Sequence, residues 1–162
     1  MNVYRSLPPD ILEKSLQELD GIDWGEPPHP SNLVETCHRL RRVPLKDFAD
    51  GDLRIMIGQG INLDHLVPLA LDRVEEDPWL CASFYDGDML WYLMSHREHW
   101  PTHSVEKSRF DKVIDRAVDI YLAVDPEDAE WMFDSHVVEL LNAWKTGGTT
   151  SGSSWTRDST CQ

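Results

Sequence analysis

The sequence predicts an all-α fold, a single-domain bundle of about seven helices with a flexible C-terminal tail. Apolar residues recur at i, i+3 and i+4 spacing along most of the chain, as on the buried face of a helix. No stretch of useful length alternates in the manner of a half-buried strand, and no hairpin signature is present. We therefore expect one helical domain over residues 1–145 of the 162, followed by a Gly/Ser/Thr-rich tail over residues 146–162.

The first two helices are indicated by their end signals. Apolar spacing predicts a helix over residues 9–19, which Gly21 ends, and a loop rich in Gly and Pro follows. We expect Trp24 to anchor this loop on the core. Ser31 is a good N-cap for the next helix, which carries Leu33 on its inner face. The end of that helix holds three arginines that suit the helix dipole and can pair with acids of other helices: Arg39, Arg41 and Arg42.

The central stretch predicts a short helix and then a longer one. The short helix ends by Gly60, so the Gly-Gln-Gly sequence indicates a helix end and not a phosphate-binding loop. Asn62 caps the longer helix, and Pro68 is expected to kink it or to leave a tighter opening turn. The Asp77-Pro78 pair ends it.

The C-terminal half predicts three more helices. An apolar helix follows Asp88, and a long amphipathic helix then carries a stripe from Phe110 to Leu122. A proline in the first turn and two acids mark the start of the last helix after Asp125. We expect this helix to be continuous, with Met132 and His136 on its inner face.

The net charge of −14 restricts the class of partner. A surface this acidic repels nucleic acid and anionic membranes, and it attracts cationic proteins. Eight acids in two groups, one of them beside Trp24, form the predicted interaction surface: Asp23, Glu26, Asp72, Glu75, Glu76, Asp77, Asp86 and Asp88.

No catalytic signature is visible, and we predict neither an enzyme nor a bound cofactor. The most enzyme-like group is His96, His99 and His103 with Glu98, since histidines three residues apart on a helix can share a metal. Pro101 lies between the second and third histidines, so the three do not share one helical face. A metal-dependent hydrolase built on this group stays open as an alternative, but we predict no metal site.

The chain carries neither a signal pattern at its N-terminus nor an apolar run long enough to span a membrane. Its three cysteines show no paired spacing that would indicate a disulfide framework. These features predict a cytoplasmic protein.

Four short sequences occur in a distinctive order. They are LQELDGIDWGEPP, LVETCHRLRRVPLKDF, DLRIMIGQGINLDHLVPLALDRVEEDP and FYDGDML, and they lie between Leu16 and Leu93. In this order they resemble the helical immunity proteins of contact-dependent growth inhibition (CDI) systems.

The resemblance implies an inhibitor that binds the toxin domain delivered by sibling cells and blocks its active site. Many such toxins are nucleases with basic surfaces, which an acidic inhibitor would match. The resemblance assigns no contact residues. A helical regulatory module that binds some other protein is the second alternative.

Overall fold

The computed structural model describes residues 5–29 and 31–147, and these residues confirm the all-α class. They form nine α-helices, more than the seven or so expected: α1 (Pro9–Leu12), α2 (Leu16–Asp20), α3 (Asn32–Leu40), α4 (Asp50–Gly58), α5 (Leu63–Glu76), α6 (Asp88–Ser95), α7 (Ser104–Ala123), α8 (Pro126–Met132) and α9 (Ser135–Lys145). Two 3₁₀-helices, Leu45–Asp47 and Trp100–Thr102, join them. No β-strand occurs in these ranges. Nearly all of the predicted flexible tail lies outside the described residues.

The chain divides into two compact units, residues 1–73 and residues 74–162. The boundary falls inside α5, so this helix belongs to both units. A single domain over residues 1–145 stays a prediction. The units are described separately below.

In the first unit, the helix predicted over residues 9–19 is two short helices. The first ends at Leu12, and Ser15 caps the second: its hydroxyl accepts the Glu18 N–H at 3.3 Å, and the Glu18 carboxylate accepts the Ser15 N–H at 2.8 Å. This reciprocal arrangement is a capping box. The Ser15 backbone and hydroxyl donors lower the pKa of Glu18. A capping signal inside an apolar pattern therefore interrupts the helix.

Replacing Ser15 with alanine is expected to lower the free energy of unfolding by about 1 kcal/mol, since the Glu18 N–H loses its acceptor. Urea unfolding followed by circular dichroism measures the change. Glu18→Gln keeps a side-chain acceptor at the third helical position and should cost less than Ser15→Ala. Equal unfolding midpoints for Ser15→Ala and the unmodified chain would contradict the role of the capping box.

The other helices of the first unit follow their sequence signals closely. Ser31 caps α3, accepting the Val34 N–H at 3.3 Å, as predicted. Leu33 is exposed, so its predicted inward position is wrong. Pro68 lies inside α5, which continues past it, and the Asn62 carbonyl accepts both the His65 and Leu66 N–H groups in a tight opening turn.

In the second unit, the last predicted helix is also two helices. The break falls at Phe133 and Asp134, where the Asp134 carboxylate accepts the His136 N–H at 2.9 Å and starts α9. Because of this break, Met132 and His136 are exposed, and their predicted inward positions are wrong. The stripe of α7 is buried as predicted from Phe110 to Val118, whereas Leu122, at its predicted end, is exposed.

Among the described helices, none is both long enough and apolar enough to cross a membrane.

Candidate protein-binding surfaces

A buried arginine organises the loop between α2 and α3. Arg41, only 2% exposed, donates to both carboxylate oxygens of Asp20 at 2.7 and 2.9 Å, and to the Ile22 carbonyl at 2.7 Å. A second guanidinium nitrogen donates to the Asn62 side chain at 2.7 Å, and Asn62 donates to Asp20 at 3.1 Å. This closed network confirms the expected pairing of an arginine at the end of α3 with an acid of another helix.

The same guanidinium lies 4.5 Å from the centre of the Trp24 ring, a cation–π contact. Trp24 remains 40% exposed, so it caps the arginine network and is not a core anchor. The Trp24 ring also makes a T-shaped contact with His38, whose Nδ1 lies 3.0 Å from the Gly25 carbonyl oxygen. The loop is therefore held in place while its indole faces solvent.

The two predicted site acids in this loop, Asp23 and Glu26, are exposed. Asp23 accepts the Gly25 N–H at 2.8 Å and lies 3.6 Å from Arg42. The Gly25 backbone donor, and then the charge of Arg42, lower the pKa of Asp23. Both carboxylates are available to a partner next to Trp24.

The second group of predicted acids contains both buried and exposed residues: Asp72, Glu75, Glu76, Asp77, Asp86 and Asp88. Asp72 is fully buried and accepts the backbone N–H groups of Arg5 and Ser6 at 2.7 and 3.0 Å. Asp88 is also fully buried, and it accepts three backbone N–H groups of the preceding loop. The expectation that Asp72 and Asp88 lie on an exposed surface is therefore wrong; both are internal acceptors.

Glu75 is half-buried and forms a two-pronged ion pair with Arg109, at 2.7 and 2.9 Å. Glu76 and Asp86 are exposed. Asp77 is exposed as well, although one of its oxygens accepts the Trp79 N–H at 3.0 Å. Three acids of this group are therefore exposed, namely Glu76, Asp77 and Asp86.

The second unit contains a further surface that the sequence analysis missed. We call it the Trp131 cleft, a depression of about 770 Å³ beside α8 and the first turns of α9. Its carboxylates are those of Asp86, Glu130, Asp134 and Glu139. Its large apolar and aromatic residues are Tyr85, Tyr121, Trp131, Met132, Phe133 and Val138. Trp131 is 91% exposed, the largest exposure among the large hydrophobic side chains described.

A packed aromatic group supports the cleft. The Phe133 ring is buried, with its centre 4.3 Å from that of Trp79 and 5.4 Å from that of Tyr121. The Trp79 indole N–H donates to the Ala117 carbonyl at 3.0 Å, which joins this group to α7. A side chain at Gly87 would come within 2.9 Å of Trp79, so the loop that carries Asp86 lies directly on the group.

One sequence signal could have indicated this cleft. Residues 117–144 contain seven acids and no Lys or Arg. This pattern alone does not identify the cleft, because a continuous last helix would direct Met132 inward and gives no reason to select Trp131. The break before α9 changes which residues face solvent.

Each of the three histidines of the alternative hydrolase site has a polar contact. His96 lies 3.2 Å from Glu98, and His99 lies 2.9 Å from Glu106. The His103 ring stacks on that of His99, and its Nδ1 lies 2.8 Å from the His99 carbonyl oxygen. Among the residues that the structure describes, His99 and His103 fall in one group of possible metal ligands, and His96 is not part of that group.

This helical chain has acidic loops that hydrogen bonds fix in place, and it exposes aromatic side chains. Both are features of proteins that bind other proteins. The sequence profile of the family described as CDI immunity proteins matches residues 18–110, which is more than half of the chain. The chain belongs to this family of CDI immunity proteins, as its resemblance over about Leu16 to Leu93 indicated. Neither the comparison with curated proteins nor that with solved structures gives a match.

Proposed function

We propose that this chain neutralises one cognate CDI toxin in the cytoplasm of the producing cell by forming a stoichiometric complex. Membership of the CDI immunity family is the observation that carries the proposal. An immunity protein acts by binding its toxin, so the proposal requires no catalytic group in this chain. The partner is the toxin domain, and binding blocks its active site.

The charge of the chain supports a basic toxin, and a nuclease is the natural candidate. A nuclease surface carries cationic side chains that bind phosphates. At a net charge of −14, the immunity protein would be attracted to that surface over a distance and would associate quickly. Its carboxylates would occupy the positions of nucleic-acid phosphates.

The exposed members of the predicted surface carry this part of the proposal: Asp23, Glu26, Glu76, Asp77 and Asp86. Glu75 contributes less, because its carboxylate is shared with Arg109. Asp72 and Asp88 are excluded from the surface, because their oxygens accept backbone donors inside the protein.

Co-expression with the toxin encoded beside this gene should restore growth, and titration calorimetry should give a 1:1 complex. The dissociation constant should rise with salt, because the complementary charges are screened. The double variant Glu26→Lys, Glu76→Lys should reduce the association rate about 10-fold at low salt. Asp47→Lys, at an exposed acid outside the proposed surface, is the control for a single charge reversal.

Failure of the chain to restore growth or to bind the toxin would refute the proposal. Binding with equal affinity at low and high salt would refute its electrostatic part.

A further inference from the structure

We infer that the Trp131 cleft is the docking site for an Arg- or Lys-bearing segment of the toxin, with a cationic side chain stacked on the Trp131 indole. The inference rests on the proposed function and deepens it by naming the surface and the chemistry of its occupant. It goes beyond the eight acids predicted from the sequence, of which only Asp86 lines the cleft.

Trp131 is exposed for a structural reason. Helix α8 has seven residues, and Ala129 is the one that it buries. Trp131 lies on the outer part of this helix beside Glu130 and has nearly all of its surface in water. An indole gains substantially from burial, and tryptophans that anchor binding partners are found at the centres of protein interfaces.

The charge around the indole selects a cationic occupant. Asp86, Glu130 and Glu139 line the cleft, and no Lys or Arg is among its lining residues. A guanidinium or ammonium group over an indole face is attracted by the ring, and neighbouring carboxylates strengthen the attraction. Nucleic acid would be repelled by these carboxylates, and a second copy of this chain would bring the same negative charge.

The cleft is formed before binding. Phe133 is buried between the Trp79 and Tyr121 rings, and the Asp88 carboxylate holds the loop that carries Asp86. A partner therefore meets a surface whose supporting residues are already ordered, and less conformational entropy is lost on association.

The position of the cleft in the chain gives it a role in partner choice. The family match ends at residue 110, whereas α8 and α9 follow that match. The helices that form most of the cleft thus lie in the part of the chain that the family profile does not cover. We assign to them the selection of the particular toxin.

The test uses the full chain and a catalytically inactive toxin domain in titration calorimetry. Trp131→Ala should weaken binding about 30-fold, the size expected for an aromatic anchor. Trp131→Phe retains a ring face and should weaken it less. The double variant Glu130→Lys, Glu139→Lys should weaken it at least about 10-fold and should reduce the salt dependence.

Two controls match these changes. Val105→Ala shortens another exposed apolar side chain of the second unit, and Asp47→Lys reverses an exposed charge elsewhere; both should leave the affinity unchanged. Equal thermal midpoints establish that each variant is folded. A second measurement is the quenching of tryptophan fluorescence by acrylamide. The difference between the unmodified chain and Trp131→Phe isolates the emission of Trp131, and the toxin should protect this emission from quenching.

The outcomes separate the two proposals. If the unmodified chain does not bind the toxin, the proposed function fails, and this inference fails with it. If it binds while the cleft variants retain full affinity and Trp131 stays open to acrylamide, the inference alone is overturned. Weaker binding by the cleft variants, with unchanged controls and a protected indole, supports it.

Discussion

Replacing Asp88 with alanine is expected to lower the free energy of unfolding by about 3 to 4 kcal/mol. The buried carboxylate accepts the N–H groups of Ala82, Ser83 and Phe84 at 2.7, 3.0 and 3.0 Å. Hydrogen bonds to a charged group contribute about 1.5 to 3 kcal/mol each, but the exposed part of this loop can recover some of its bonds from water. The expected loss is therefore smaller than the full sum.

Urea unfolding measures this loss, and Asp86→Ala is the matched control. Asp86 lies two residues earlier, on the loop that precedes α6, and is exposed, so its replacement should change stability by less than about 0.5 kcal/mol. Asp88→Asn keeps one acceptor oxygen and should give an intermediate loss. Similar stabilities for Asp86→Ala and Asp88→Ala would contradict the role assigned to the buried carboxylate.

The second large effect is expected at Arg41, whose replacement with alanine should cost about 2 to 3 kcal/mol. The Asp20 carboxylate loses its closest donor, but it is partly exposed and keeps the Ile22 N–H and the Asn62 side chain as donors, so the loss is smaller than for a fully buried pair. The Asn62 side chain, the Ile22 carbonyl and the Trp24 ring lose their contacts with the guanidinium as well.

Arg42→Ala is the control, because Arg42 is the next residue, is exposed, and contacts the Gly25 carbonyl and Asp23 at longer distances. It should cost less than about 1 kcal/mol. Thermal and urea unfolding would reveal the difference. Equal losses for Arg41→Ala and Arg42→Ala would show that the buried network contributes no more than a surface pair.

The Arg41 network also predicts a pH dependence. The hydrogen bonds from Arg41 hold the pKa of Asp20 well below its usual range. A carboxyl whose pKa is lowered by folding stabilises the protein above its unfolded pKa of about 3.9, and this contribution disappears as the pH falls through the folded pKa. The stability difference between the unmodified chain and Arg41→Ala should therefore narrow as the pH falls below about 4.

Helix ends were more predictable from sequence than helix continuity. Gly21, Ser31 and Gly60 mark helix boundaries near the expected positions, because such signals act within a few residues. The breaks at Ser15 and Asp134 were missed, since apolar spacing continued through both positions. In each case a side chain that caps the start of a new helix interrupts the helix that the apolar spacing predicted.

Burial of the acids was the least predictable feature. Asp72 and Glu76 lie one helical turn apart on α5, yet Asp72 is buried and Glu76 is exposed. Asp72 is buried because the backbone of Arg5 and Ser6, more than 60 residues earlier, supplies its donors. A periodic pattern contains no information about which distant backbone groups will meet a side chain.

By itself, the sequence determined the helical class, most helix boundaries, the negative charge and the family of CDI immunity proteins. These depend on composition, on motif order and on interactions between residues a few positions apart. Only the tertiary structure decided that Asp72 and Asp88 are internal acceptors, that Arg41 is buried, and that Trp131 faces solvent among carboxylates. Exposure depends on contacts between segments far apart in the chain, and such contacts form only when the helices come together.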